Sequence, residues 1–169
     1  LADGSTRHVQ TYAGPIEIYG DKLMLCIVHD ITEQKRLEEQ LEHAAHHDAM
    51  TGLLNRRQFY HITEPGQMQH LAIAQDYSLL LIDTDRFKHI NDLYGHSKGD
   101  EVLCALARTL ESCARKGDLV FRWGGEEFVL LLPRTPLDTA LSLAETIRVS
   151  VAKVSISGLP RFTVSIGVA

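Results

Sequence analysis

The sequence predicts a mixed α/β fold that contains a β-hairpin, and three observations carry that prediction. Helical and strand-like apolar patterns alternate from Asp48 to the last residue, and a glycine pair separates two strand patterns within residues 122–133. In addition, 44% of the 169 residues are hydrophobic and 23% charged, the balance of a globular chain long enough for one good core plus an attachment.

The elements follow in order. Residues 1–34 alternate strand-forming side chains with turn signals at Gly14–Pro15 and Gly20–Asp21, the pattern of two strands of a meander. A hairpin of that size is marginal by itself, so it reads as the tail of something larger. Residues 33–48, EQKRLEEQLEHAAHHD, are helix formers with Leu37, Leu41 and Ala44 four and three apart. That spacing suits either a short coiled-coil seam or a lone amphipathic linker helix. Next come a helix around residues 56–61, a second through 68–74, a strand at YSLLLIDTD and a helix over FKHINDLYG. A stronger helix covers residues 99–117, where Val102, Leu103, Leu106, Leu110 and Cys113 make an apolar face. Strands at 118–123 and 128–132, an amphipathic helix at 137–153 and a final strand at 161–169 complete the chain.

A net charge of −5 excludes a surface that tracks a nucleic-acid polymer, which needs a basic stripe. Local basic residues still permit a small anionic ligand. The three cysteines, Cys26, Cys104 and Cys113, lack metal-type spacing and read as reduced thiols of a cytoplasmic protein. No signal peptide and no apolar run of membrane-spanning length is visible, so these residues are expected to make no membrane contact. An anchor preceding Leu1 in a longer parent is compatible with this. The histidines form no convincing metal set.

Chemistry concentrates in two stretches. In RWGGEEFVLLLP, Gly124 and Gly125 read as a tight hairpin turn that lets a ligand approach the backbone, with Glu126 and Glu127 at its exit. Two adjacent carboxylates repel each other, so a cation such as Mg²⁺ is one reading and a plain hairpin with solvated glutamates the other. In LLLIDTDRFKHIND, Asp83 and Asp85 end an apolar strand, where an acidic residue beside the hairpin would complete a metal site for nucleotidyl transfer, or simply cap the strand. Lys88 near a helix start suits a phosphate, or is a surface lysine. Asn91 and Asp100 match guanine, whose N1–H and N2–H₂ donors suit a carboxylate; Asp100 after Gly99 also reads as a helix N-cap.

Together, four stretches resemble one family, the GGDEF-domain diguanylate cyclases. DAMTGLLNRR (48–57) is similar to its opening signature, with Met50 in place of leucine, and DTDRFKHINDLYGHSKGDEVL (83–103) to its strand-to-helix signature. RWGGEEF (122–128) is the name-giving motif in its GGEEF form, and TVSIGVA (163–169) resembles the late strand. The resemblance implies a central, mostly antiparallel sheet flanked by helices, the palm-like fold of nucleotidyl cyclases and polymerases, over residues 48–169. It implies condensation of two GTP into cyclic di-GMP, each 3′-hydroxyl attacking the other's α-phosphate with loss of pyrophosphate.

By the same resemblance, Asp83 and Glu126 would hold Mg²⁺, with Mn²⁺ as an alternative and the Thr84 carbonyl as a further ligand. Glu127 would contact the metal or help to activate the 3′-hydroxyl. Phe87 and Lys88 would lie at the phosphates, Asn91 and Asp100 at guanine, and Gly124 and Gly125 would leave room for the nucleotide. Arg115 and Asp118 stand where the family carries its Arg-x-x-Asp inhibitory site, which would bind cyclic di-GMP and subject the enzyme to feedback. A two-fold symmetric product made from one GTP per protomer implies a C2 homodimer.

Residues 1–34, ending in VHDITEQKR, resemble the last strands of a PAS sensor domain, with residues 35–47 as a signalling helix. The family continues beyond its late strand through a helix whose lysine and arginine help to hold phosphates, so residues 48–169 would lack that contribution. Two other classes compete with the enzyme: a non-catalytic cyclic di-GMP receptor using Arg115 and Asp118, whose usual sign is a broken GGEEF, and a GTP-binding module that regulates a separate domain.

Overall fold

A computed structural model of the chain describes residues 6–64 and 77–169. These form two compact units, one through Ala44 and the other from Ala45 onward. The helix expected at 68–74 lies outside the described residues.

In the first unit, β1 (Val9–Ile18) and β2 (Asp21–Asp30) pair antiparallel along their whole length. The connection is Tyr19–Gly20, with φ of 52° and 89°, the doubly left-handed pair that a two-residue type I′ loop requires. The turn expected at Gly14–Pro15 does not form. Both residues lie inside β1, with Pro15 opposite Met24; each strand of a two-stranded ribbon has a free edge, where proline is tolerated. Helix α1 (Thr32–His46) begins one residue before the helix-forming run at 33–48 and ends two residues before its close. Its start is fixed by the Asp30 carboxylate, which accepts from the Thr32 N–H at 3.0 Å, and by the Thr32 hydroxyl oxygen, which accepts from the His8 N–H at 2.9 Å. Leu37 and Leu41 are exposed.

The second unit holds β3 (Leu54–Asn55), α2 (Arg56–Thr63), β4 (Tyr77–Thr84), α3 (Phe87–Tyr94) and α4 (His96–Cys113), followed by β5 (Leu119–Gly124), β6 (Glu127–Pro133), α5 (Leu137–Val151) and β7 (Val164–Val168). The sheet order is β3-β5-β6-β4-β7, antiparallel at every pairing except β3 with β5. This is the mostly antiparallel sheet flanked by helices that was expected. β3 was not foreseen, because two residues are too few for an alternating pattern to register.

Strand β6 reads as an unbroken apolar run because both its faces are covered. Phe128, Leu130 and Leu132 join Leu80, Ile82, Val102, Leu106, Leu110 and Ile147 in a core shared with α4 and α5, while Val129 and Leu131 pack with Phe121 and Ile62 on the other face. Truncating any of the fully buried leucines to alanine costs about 2–5 kcal/mol.

Helix α4 departs from its expected span. Gly95, at φ 82°, ends α3 by donating its N–H to the Asn91 carbonyl, and the chain re-enters helix at once with His96. Asp100 therefore lies within α4 and is no N-cap. At the far end Ala114 turns extended, so the helix stops at Cys113 rather than at residue 117.

Candidate functional site

The site forms where β4 ends between β6 and β7. Asp83 is opposite Glu127 on one side and Ser165 on the other, and side chains of directly opposed strand residues have Cβ atoms about 4.5–5.5 Å apart. Alternation turns Leu80, Ile82 and Thr84 into the helix-side core, which sends Asp83 to the opposite face together with Glu127.

The turn that presents the glutamates is displaced by one residue from expectation. Gly124 is the last residue of β5, and the two-residue loop is Gly125–Glu126, with Gly125 at φ 52°. A glycine at the first loop position meets that positive φ without strain. A bulge between Arg122 and Gly124 absorbs the odd residue, Trp123. The Thr84 N–H donates to the Glu126 carbonyl at 3.3 Å, pinning the turn to the end of β4.

Burial, then the charges of Asp83 and Glu127, push the Glu126 carboxyl above its ordinary value. Among the described residues none of these three carboxylates has a cationic partner in an ion pair. Mutual repulsion without compensation is the state that a divalent cation relieves, so the donor set fits a hard cation. Among the described residues no group of three or more His, Cys, Asp or Glu side chains is gathered closely enough to cage a metal unaided. Mg²⁺ takes only one or two carboxylates and completes its shell with water and substrate phosphates, so an open carboxylate set suits it.

Asp85 does not join this set. Its two oxygens accept from the Thr163 and Ser165 hydroxyls at 2.5 and 2.6 Å, which ties the exit of β4 to β7. Phe87 is buried in the core, so its backbone N–H, and not its ring, is what a phosphate could meet; Lys88 beside it is exposed. Asn91 reaches from α3 to α4, and its buried Oδ1 has no hydrogen-bond partner among the described residues. That oxygen occupies the space where a Cβ on Gly99 would stand. Asp100, next to Gly99, is exposed.

Sequence reasoning missed the scaffold behind the turn. The Arg122 side chain, only 12% exposed, donates through Nη2 and Nε to the Gly125 carbonyl at 2.9 and 3.3 Å, and through Nη1 to both Asp48 oxygens at 3.0 and 3.2 Å. Asp48 also accepts from the Thr51 N–H and hydroxyl. Burial alone would raise the Asp48 carboxyl, but the Thr51 and Arg122 hydrogen bonds outweigh it and hold the group below its ordinary value. Asn55 caps α2 by accepting from the Gln58 N–H, and its amide donates to the Ala45 and His47 carbonyls. Arg56 lies 4.8 Å from the Trp123 ring centroid and 5.6 Å from that of Tyr60. The signal for these contacts was the polar composition of DAMTGLLNRR, whose spatial partner no local pattern reveals.

Arg115 and Asp118 lie away from this cluster. They flank the start of β5, at the opposite end of the β5–β6 hairpin from Glu127, and the seven residues of β6 put about 20 Å between the two ends. Asp118 accepts from the Arg115 N–H at 2.9 Å and from its Nε at 3.0 Å. The three cysteines are free, and among the described residues no helix is long and apolar enough to cross a membrane.

Residues 45–169 match the family model described as diguanylate cyclase, GGDEF domain. A diguanylate cyclase of Vibrio cholerae is 43% identical over 119 residues, covering 70% of this chain and 37% of that protein. Among solved structures, the diguanylate cyclase SiaD of Pseudomonas aeruginosa, in complex with its activator SiaC, superposes with a TM-score of 0.67 at 40% identity over 80% of this chain and 54% of that one. The active GGEEF domain of a Vibrio cholerae diguanylate cyclase gives 0.62 at 38% identity, over 69% and 75%. The chain spans less than half the length of the first curated relatives it matches, 43% of one and 37% of another. With three quarters of its length matched and the signature residues of β4 and the β5–β6 turn brought to one place, the chain belongs to the GGDEF-domain family of diguanylate cyclases.

Proposed function

We propose that this protein condenses two molecules of GTP into cyclic di-GMP and two pyrophosphates. The observation that carries the reading is the uncompensated carboxylate set at the end of β4 and the GGEEF turn, where Glu126 is pushed toward protonation by burial and by Asp83 and Glu127. The names of its relatives support the same reaction.

Asp83 and Glu126 hold the divalent metal, Mg²⁺ or Mn²⁺, with the Thr84 carbonyl as a further ligand and Glu127 as a metal contact or a helper of the nucleophile. When bound, the metal supplies charge neutralisation at the triphosphate and lowers the pKa of the attacking hydroxyl. The chain's own residues do the rest. The N–H of Phe87 and the ammonium of Lys88 receive phosphate oxygens at the start of α3. Asn91 and Asp100 take the guanine edge: the Asn91 oxygen, buried without a partner, is costly until a donor arrives, and guanine carries donors. Gly124 and Gly125 present no side chain to an incoming nucleotide, and nothing would meet a Cβ there, which leaves the approach open.

One site holds one GTP, so the reaction requires two protomers face to face, and a C2 homodimer supplies that arrangement. Residues 1–34 are the last strands of a PAS-like domain, residues 35–47 are the signalling helix, and residues 48–169 are the cyclase part. Support for the first assignment comes from the hairpin itself, whose Tyr12, Met24, Ile27 and Val28 are all more than half exposed; such an apolar ribbon belongs against further sheet. Arg115 and Asp118 bind the product and provide feedback. The cyclase part works in the cytoplasm, where GTP is available.

The test is incubation of the purified chain with GTP and Mg²⁺, with cyclic di-GMP and pyrophosphate read by chromatography and mass spectrometry. Glu126→Ala is expected to lower turnover at least about 100-fold while cyclic di-GMP binding at Arg115 persists. Turnover retained in Glu126→Ala would refute the metal assignment.

A further inference from the structure

The Arg115 guanidinium is already engaged by its own chain. Nε donates to Asp118 Oδ1 at 3.0 Å, and Nη2 donates twice, to the Pro133 carbonyl at 2.7 Å and to the Thr135 hydroxyl oxygen at 2.5 Å. Thr135 is 4% exposed. Its hydroxyl donates onward to the Pro133 carbonyl at 3.1 Å, and its own carbonyl accepts from the buried Ser78 hydroxyl at 2.8 Å. The acceptor that meets Arg115 is therefore fixed from two sides.

A guanidinium has five N–H donors arranged in two parallel forks, one through Nε and Nη2 and the other through Nη1 and Nη2. Both forks run through Nη2, and both hydrogens of Nη2 are taken. Among the described residues Nη1 has no partner, and it cannot by itself make the paired contact with a phosphate or with the O6/N7 edge of guanine that arginine makes best.

We infer that Thr135, with the Pro133 carbonyl, is a latch that withholds the Arg115 fork from cyclic di-GMP and so sets the product concentration at which feedback begins. The inference rests on the reading of Arg115 and Asp118 as the product site. Binding must break the two Nη2 bonds before a fork becomes available, and the lost bonds subtract from the affinity. Thr135 is a positioning residue: it acts on the ligand only through Arg115. Nothing in the spacing of Arg115 and Asp118 signals it, because it lies 20 residues further along the chain.

The test is calorimetric titration of cyclic di-GMP into the full chain and three variants. Thr135→Val keeps the shape and removes the acceptor, and is expected to tighten binding about three- to tenfold, the worth of one such hydrogen bond. Thr135→Ser restores the hydroxyl and is expected to return the parent affinity, a rescue that a purely structural role would not require. Arg115→Ala is expected to abolish binding. Unchanged or weaker binding by Thr135→Val, with Arg115→Ala still silent, overturns the latch and leaves the product site standing. Binding that persists in Arg115→Ala overturns the product site and the latch with it. Should Thr135→Val fail to show a cooperative melt, Thr135→Ala applies the same criterion.

Discussion

Gly99→Ala separates stability from nucleotide recognition, and its effect follows from three contacts. A Cβ at position 99 would collide with Asn91 Oδ1 and lie 3.0 Å from Asn91 Cγ and 3.1 Å from Phe87 Cζ. Ordinary carbon contacts lie at about 3.5–4.0 Å, so the Phe87 ring must retreat by a few tenths of an ångström and the Asn91 amide must swing away. Overpacking of this kind costs about 1–3 kcal/mol. Against it stands the helical gain of alanine over glycine, about 1 kcal/mol within α4. The net change in folding stability is therefore expected to be small, from about 0 to 2 kcal/mol of destabilisation. Nucleotide binding has no such compensation. With Asn91 displaced, one of the two proposed guanine contacts is lost, and affinity for GTP should fall about tenfold or more. Urea denaturation gives the first quantity, and titration of a fluorescent GTP analogue gives the second. The decisive comparison is with a fluorescent ATP analogue: a selective loss for guanine supports the assignment, and an equal loss for both bases would show that Asn91 does not read the base. Undiminished GTP binding by a folded Gly99→Ala protein would refute the reasoning altogether.

Three further outcomes are expected. Arg122→Ala removes a nearly buried cation from Asp48 and from the Gly125 carbonyl, so it should destabilise the fold by about 2–4 kcal/mol in urea titrations and should lower turnover by loosening the GGEEF turn. The Asp48 carboxyl sits below its ordinary value when folded, so its contribution is present above the unfolded pKa, about 4, and disappears as pH falls through the folded one. The stability gap between parent and Arg122→Ala should accordingly narrow in acid. Glu126 has the opposite sign: its raised folded pKa makes the native state bind more protons, so stability contributed by its protonated form is lost as pH rises through the window just above the ordinary glutamate value. Mg²⁺ should release protons in that window, and the release measured calorimetrically in two buffers of different ionisation enthalpy should vanish in Glu126→Gln.

How much of this was legible beforehand depended on the range of the interaction. The apolar runs of β4 and β6 and the 3.6-residue face of α4 announced themselves, because burial imposes a period on the sequence. An acidic residue at the end of β4 beside a hairpin carboxylate was expected, but the register that sets Asp83 opposite Glu127 is known only from the pairing of β4 with β6. Boundaries failed where a single glycine decided them. Gly95 stops α3 through a backbone bond to Asn91 and lets α4 start four residues before Asp100, and the loop of the β5–β6 hairpin slid by one residue because a bulge at Trp123 changed the count. Gly14 and Pro15 misled in the other direction: as local signals they indicate a turn, yet a two-stranded ribbon has an unpaired edge that accepts them.

The residues that stayed invisible share one property, which is that their work is done on another residue rather than on a ligand. Arg122 looked like a flank of the GGEEF turn, and its function emerges only when Asp48, 74 positions earlier, is found in its grasp. Thr135 carried no signal in the sequence, and its hydroxyl shares Arg115 Nη2 with the Pro133 carbonyl. Asp85 read as either part of a metal site or a cap of the strand, and it is a clasp for β7. A motif preserves the residues that meet substrate together with those that hold them, and sequence spacing cannot separate the two roles, because both demand the same residue types. What separates them is hydrogen-bond capacity. Asp85 has spent its capacity inside the protein, whereas among the described residues Asp83, Glu126 and Glu127 have no cationic partner and the buried Asn91 oxygen has no donor. A folded chain tolerates buried or crowded polar groups without partners at a cost of about 1–3 kcal/mol each. Among the described residues His46 and Gln58 also bury a polar atom without a partner, so the proposed placement of the binding site rests on the Asn91 oxygen taken together with the crowded carboxylates at the end of β4 and the GGEEF turn.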